Sequence, residues 1–288
     1  MNNCLSKIIV YGRMIKFGHT IFALPFALSA LILAGWEAPL TPWLVFWIIM
    51  AMVGARSAAM GFNRLVDVNF DALNPRTSQR ELPVGAISAG ETKLFIGGAS
   101  LLFVLSSAMI SRECFWLSFP VLSLLLGYSY TKRFTWLSHL ILGFVIGLAP
   151  LGVWLAVTGE ISPPIALLSL ALCTYIAGFD ILYACQDLEY DRAAGLNSLP
   201  VRFGVKKSLL VSAILHVITF LSLLMLSVLF DLSMVYLGYM VIIAILLVVE
   251  HLLVKPDNLS RINIAFFHIN SIVSVIIFAA ILTENILR

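Results

Sequence analysis

Nine apolar stretches of membrane-spanning length, parted by short polar breaks, restrict this chain to an all-α, polytopic membrane bundle. A helix that crosses the hydrocarbon core needs about 20 mostly apolar residues. Lipid admits only helices or closed barrels, because backbone polar groups must be satisfied internally. The stretches fall near 18–35, 43–66, 94–110, 114–131, 137–157, 161–186, 208–230, 232–254 and 262–283. Breakers such as Pro39 and Pro42, or Ser162-Pro163-Pro164, separate them. Only 11% of the 288 residues are charged, against about a quarter in a soluble domain, so most of the surface must face lipid. The net charge of +3 is not gathered into a basic domain, which argues against nucleic acid as a partner. The apolar run after Lys16 reaches Gly35, outlasting the core of a signal peptide, and reads as an uncleaved first helix. Cys4, Cys114, Cys173 and Cys185 share no CxxC spacing, so neither a disulfide framework nor a zinc site is expected of them.

The basic residues set the orientation. With nine alternating helices and a cytoplasmic N-terminus, fifteen Lys and Arg residues fall on inside loops and only Arg112 and Arg288 outside. Such an excess marks cytoplasmic loops, which predicts N-in, C-out. Residues 1–288 are read as one domain, its long connections 67–93 and 187–207 both inside.

Polar residues within this framework gather at two helix ends. After the second stretch, Asn63, Asp67 and Asp71 follow at four-residue steps, and Arg56 lies seven residues before Asn63. On a continuous helix these four share one face, and Asn74-Pro75 should end it. The sixth stretch repeats the arrangement, with Asp180, Asp187 and Asp191 spaced seven and four. Glu189 falls off that face and should be solvated. Like charges at four-residue spacing repel, and an ionised side chain deep in the membrane costs about 2.5–3.5 kcal/mol. Both stripes end on the predicted cytoplasmic side, where a divalent cation would compensate them across a cavity open to that side and to lipid.

The candidate ligands are all oxygen, which favours Mg²⁺ over zinc or copper. Mg²⁺ binds through one or two carboxylates together with substrate phosphates, so the stripes suit a diphosphate. Arg76, Arg80, Lys132, Arg133, Arg202 and Lys206 supply inside cations for its remaining charge, or serve topology alone. A transporter would set its charges near the midplane on broken helices, whereas here they stand at helix ends.

These residues resemble the UbiA superfamily of membrane prenyltransferases. Its motifs N-x-x-x-D-x-x-x-D and D-x-x-x-D read here as Asn63 to Asp71 and Asp187 to Asp191. The likeness extends to Arg76-Thr-Ser-Gln-Arg80-Glu-Leu-Pro, Tyr128-Ser-Tyr-Thr-Lys132-Arg133 and Asp180-Ile-Leu-Tyr183. It looks nearest to the 4-hydroxybenzoate polyprenyltransferase branch. Arg64 stands where many relatives carry aspartate, and the run from Asp71 to Thr77 also looks like menaquinone-pathway relatives with a dihydroxynaphthoate acceptor.

The resemblance implies an inner-membrane enzyme of quinone biosynthesis, its active site facing the cytoplasm. It would transfer a polyprenyl group from its diphosphate to an aromatic acid and needs no obligatory protein partner. It implies Mg²⁺ held by Asp67, Asp71, Asp187 and Asp191, with Asn63 orienting a metal or phosphate oxygen. Arg56 is expected at the acceptor's carboxylate or the diphosphate, or else paired with Asp67 or Asp180. Asp180 and Tyr183 are expected to orient the acceptor or border the metal, and His139, His216, His251 and His268 to make interfacial or helix contacts.

Overall fold

A computed structural model describes residues 2–288, with side chains from Lys7 onward, so Cys4 lies outside the described side chains. The described chain is helical: α1 (Asn2–Met14), α2 (Leu24–Ala34), α3 (Pro42–Val66), α4 (Val68–Leu73), α5 (Ala89–Ile110), α6 (Arg112–Gly127), α7 (Ser138–Thr158), α8 (Pro163–Ala184), α9 (Leu188–Ala193), α10 (Leu199–Leu229), α11 (Met234–Leu253) and α12 (Asn270–Leu287). Helix starts follow local chemistry. Thr41, Ser88, Ser111, Ser198 and Ser233 accept a backbone N–H of the first turn of the helix that each precedes. Prolines occupy the first turns of α3, α8 and α10, where the missing N–H has no helical partner to lose.

Eight of the nine expected crossings are helices long and apolar enough to span a membrane. The exception is the first. Residues 18–35 divide into a 3₁₀ segment, Phe17–Phe22, and the 11-residue α2. Pro25 lies in the first turn of that helix. The seventh crossing starts earlier than expected, at Leu199, and breaks at Gly204 (φ 79°, ψ 166°).

The chain forms two compact units. The first joins residues up to Thr20 to Thr41–Tyr130. In it α3 packs along α5 and α6, and Gly54 meets the α5 backbone so closely that a Cβ there would lie 2.7 Å from Phe103 N. Met14, at the end of α1, is fully buried with Leu82 and Ile87.

The second unit joins Ile21–Leu40 to Thr131–Arg288. Its centre is α8, apolar around most of its circumference, as a helix packed among other helices is. Ile165, Leu168, Leu172, Tyr175, Ile181 and Leu182 are fully buried there. Helices α7 and α10 flank it, and α2 packs on α7 and α12. Gly143 and Gly147, one turn apart on α7, rest on Cys173 of α8, the small-residue contact by which membrane helices approach. The outer face of α10 shows Leu210, Ile214, Val217 and Leu221, an apolar stripe suited to lipid.

Candidate functional site

In the first unit the acidic motif is a hinge rather than one continuous helix. Helix α3 stops at Val66, Asp67 turns out of helical geometry (φ −93°, ψ 6°), and the six-residue α4 resumes. The ladder still carries across, from Asp67 N to Asn63 O at 3.0 Å and from Asp71 N to Asp67 O at 2.8 Å. Asn63 Nδ2 donates to Asp67 Oδ2 at 3.0 Å, which fixes that carboxylate. Asp71 is buried, and Arg80 Nη1 reaches both its oxygens at 2.6 and 2.7 Å.

The loop after α4 is folded to deliver Arg80. Asn74, which ends α4 as expected, accepts Arg76 N on its side chain at 2.9 Å, and Thr77 Oγ1 donates to Asp71 O at 3.1 Å. Arg76 itself is exposed.

The arginines of α3 hold the end of α1. Arg56 Nη2 donates to Lys16 O at 3.2 Å, and the buried Arg64 donates from Nε to Met14 O at 3.1 Å. A cation beside the last carbonyls of a helix is stabilised by the helix dipole. Arg56 thus has a backbone partner within its own unit.

Lys16 adopts a left-handed conformation (φ 50°). Burial lowers its ammonium pKa from the ordinary value, and Arg64, Arg80 and Arg76 lower it further. Glu81 opposes these cations in part. Lys16 was legible only as a topology-setting charge.

The second unit repeats the hinge. Helix α8 gives way to a 3₁₀ turn, Asp187 stands at φ −95°, ψ 4°, and the six-residue α9 follows. Asp191 is buried at 3% exposure, with Lys132 Nζ 3.7 Å from its Oδ2. That oxygen receives no hydrogen bond. Lys132 is held in turn by Asn197 N, which donates to its carbonyl at 2.7 Å. Arg133 and Glu189 are exposed.

Asp180 Oδ2 lies 2.6 Å from Nδ1 of the buried His139 in the first turn of α7. Tyr183 stacks on Phe266, ring centroids 4.0 Å apart, within an aromatic cluster that includes Phe22 and Phe179. His139 thus makes the helix contact expected of it, and its partner on α8 is Asp180.

These donors fit Mg²⁺. They are all oxygen, and Asp191 keeps a buried carboxylate oxygen without a donor, as a cation ligand would. Asp71 fits less directly, since both its oxygens are already on a guanidinium.

Residues 23–272 match the UbiA prenyltransferase family. A 4-hydroxybenzoate octaprenyltransferase of Alcanivorax borkumensis is 36% identical over 199 residues, 69% of this chain and 68% of the relative. One from Nitrosomonas eutropha is 29% identical over 85% of both chains. A UbiA homolog from Aeropyrum pernix K1, solved in its apo form, superposes with a TM-score of 0.83 at 31% identity, covering 92% of this chain and 98% of that one. A UbiA homolog from Archaeoglobus fulgidus bound to GPP and Mg²⁺ shares the fold, with a TM-score of 0.70 at 19% identity over 96% and 99% of the two chains.

Proposed function

The chain belongs to the UbiA prenyltransferase family, and from that premise we propose that it transfers a polyprenyl group from polyprenyl diphosphate to a 4-hydroxybenzoate-type aromatic acid. The acceptor reading is supported by the 4-hydroxybenzoate octaprenyltransferases to which the chain is similar. A dihydroxynaphthoate acceptor, suggested by the run from Asp71 to Thr77, is the second reading. The family match draws on both units, which supports treating 1–288 as one enzymatic domain.

The observation that carries the chemistry is the duplicated hinge, a span followed by an aspartate out of α-helical geometry, a short helix and a second, buried aspartate. Asp67, Asp187 and Asp191 would hold Mg²⁺, which supplies positive charge to the departing diphosphate. Asn63 orients the Asp67 carboxylate. Asp71 takes part through Arg80, whose guanidinium it holds in place for the diphosphate, with Lys16, Arg76, Lys132 and Arg133 as further cations.

The allylic C–O bond breaks with its electron pair leaving on the diphosphate. The ring carbon beside the acceptor's hydroxyl bonds to the allylic cation, and the ring proton is then lost. The His139–Asp180 pair and Tyr183 border the acceptor, and Arg56 takes its carboxylate if the guanidinium leaves Lys16 O. The reaction would take place at the cytoplasmic face of the inner membrane, with N-in, C-out topology and α2 completing nine crossings.

The test is purified protein in detergent with a polyprenyl diphosphate, with and without Mg²⁺, offered 4-hydroxybenzoate or 1,4-dihydroxy-6-naphthoate. A metal-dependent prenylated hydroxybenzoate, read by mass spectrometry and lost in Asp187→Asn, is the expected result. Product from the naphthoate alone would move the assignment to the second reading, and product from neither would discard the aromatic-acid acceptor.

A further inference from the structure

The second unit contains a group of metal-binding side chains that the prenyl-transfer reading does not use. His216 of α10 and Glu250 and His251 of α11 each bring one possible ligand atom to within 4.8 Å of the other two. His216 Nδ1 lies 3.0 Å from His251 Nε2 and 3.2 Å from Glu250 Oε2. Ligands of a tetrahedral zinc ion, each about 2.0–2.1 Å from the metal, sit about 3.3 Å from one another. We propose that His216 Nδ1, His251 Nε2 and Glu250 Oε2 bind a divalent transition-metal ion of the zinc class in the interior of the second unit.

The surrounding groups are those of a built site. His216 Nε2 lies 3.4 Å from Tyr175 O, so its N–H faces a carbonyl and Nδ1 is the nitrogen left for a metal. Asn270 Nδ2 donates to Glu250 Oε1 at 2.8 Å, which aims Oε2 inward. Gly178 admits the His216 ring against α8, where any Cβ would overlap Cδ2 and Nε2.

Glu250 is wholly buried and its Oε2 has no hydrogen-bond donor. A proton on His216 Nδ1 directed to His251 leaves that oxygen unsatisfied. A metal ion engages all three atoms at once. The donor set also differs from the oxygen-only acidic motifs, since two imidazoles with one carboxylate select zinc-class ions over Mg²⁺. Half-buried His251 gives the ion a route in from the end of α11.

The experiment uses the full chain without a histidine tag, stripped with a chelator and reloaded with one equivalent of Zn²⁺ or Co²⁺. Bound metal is counted by mass spectrometry, and the Co²⁺ form is read by visible absorption. One Zn²⁺ per chain, intense four-coordinate Co²⁺ bands and a thermal midpoint raised by roughly 5 °C are expected. His251→Gln should lose all three, and Asp187→Asn should keep them. Weak six-coordinate Co²⁺ bands in the wild-type chain would overturn the proposal without reference to any variant. So would equal zinc in wild type and His251→Gln, or zinc lost in Asp187→Asn. Failure to load zinc at all would overturn the proposal and leave the cluster as a hydrogen-bonded contact between α10 and α11.

Discussion

Asp67 and Asp187 hold nearly the same backbone conformation, φ −93°, ψ 6° and φ −95°, ψ 4°, and each separates a long span from a six-residue helix. Neither side chain caps the helix that follows it. The carboxylates are therefore turned to another use, and replacing either carboxylate with an amide should leave the hinge intact. Asp67→Asn and Asp187→Asn are each expected to lower kcat by about 10²–10³ or more, the scale of losing one electrostatic group at a reacting centre. The unfolding midpoint should stay within a few degrees of wild type. A variant with normal turnover would remove that hinge from the reaction.

Arg80 and Asp71 form a pair whose members have side-chain exposures of 20% and 9%. Removing one partner leaves a mostly buried charge without compensation, which costs about 3–5 kcal/mol in a fully buried pair. Part of that is screened here because Arg80 still reaches solvent. Arg80→Ala should therefore destabilise the chain by about 2 kcal/mol and raise KM for the diphosphate. In a double-mutant cycle with Asp71→Asn, the stability losses should fall short of additivity. Additive losses would show that the contact contributes nothing to folding.

Most of the architecture was legible because lipid enforces it. From 43 to 283 the apolar stretches predicted eight crossings, and each is a helix. The first stretch was harder to read, since hydropathy counts residues without registering that Phe17–Phe22 turns as 3₁₀. The acidic motifs were legible from their four-residue spacing, but spacing assumes a continuous helix and missed the hinges at Asp67 and Asp187. The partners of Arg56 and Arg64 are backbone carbonyls just past and at the end of α1, those of Lys16 and Met14, for which no side-chain pattern exists. His216 and His251 are 35 residues apart and meet only because α10 and α11 pack. The available signal was Glu250, an acid inside an apolar stretch.

Lys16 combines two unfavourable features, a left-handed backbone (φ 50°) and an ammonium whose charged form Arg64, Arg80 and Arg76 disfavour more than Glu81 supports it. A non-glycine residue in that conformation costs about 1 kcal/mol. Lys16→Gly should relieve the strain and the repulsion together, stabilising the chain by about 1 kcal/mol in a detergent unfolding titration. If the cations gathered there receive the diphosphate, the same substitution should weaken its binding several-fold. A stabilised variant with unchanged diphosphate affinity would assign Lys16 to topology alone.

His139 and Asp180 meet at 2.6 Å, with the imidazole buried and the carboxylate half-buried. The histidine fixes which way the carboxylate points, so it acts as a positioning residue for whatever Asp180 touches. His139→Gln retains a hydrogen-bond donor of similar reach, while His139→Ala leaves Asp180 without this contact. Alanine should raise KM for the aromatic acid by about tenfold, the value of a hydrogen bond to a charged group, with KM for the diphosphate nearly unchanged. Glutamine should recover much of the loss. Equal rises in both KM values, without rescue by glutamine, would mean that the pair supports folding of the second unit and does not orient the acceptor.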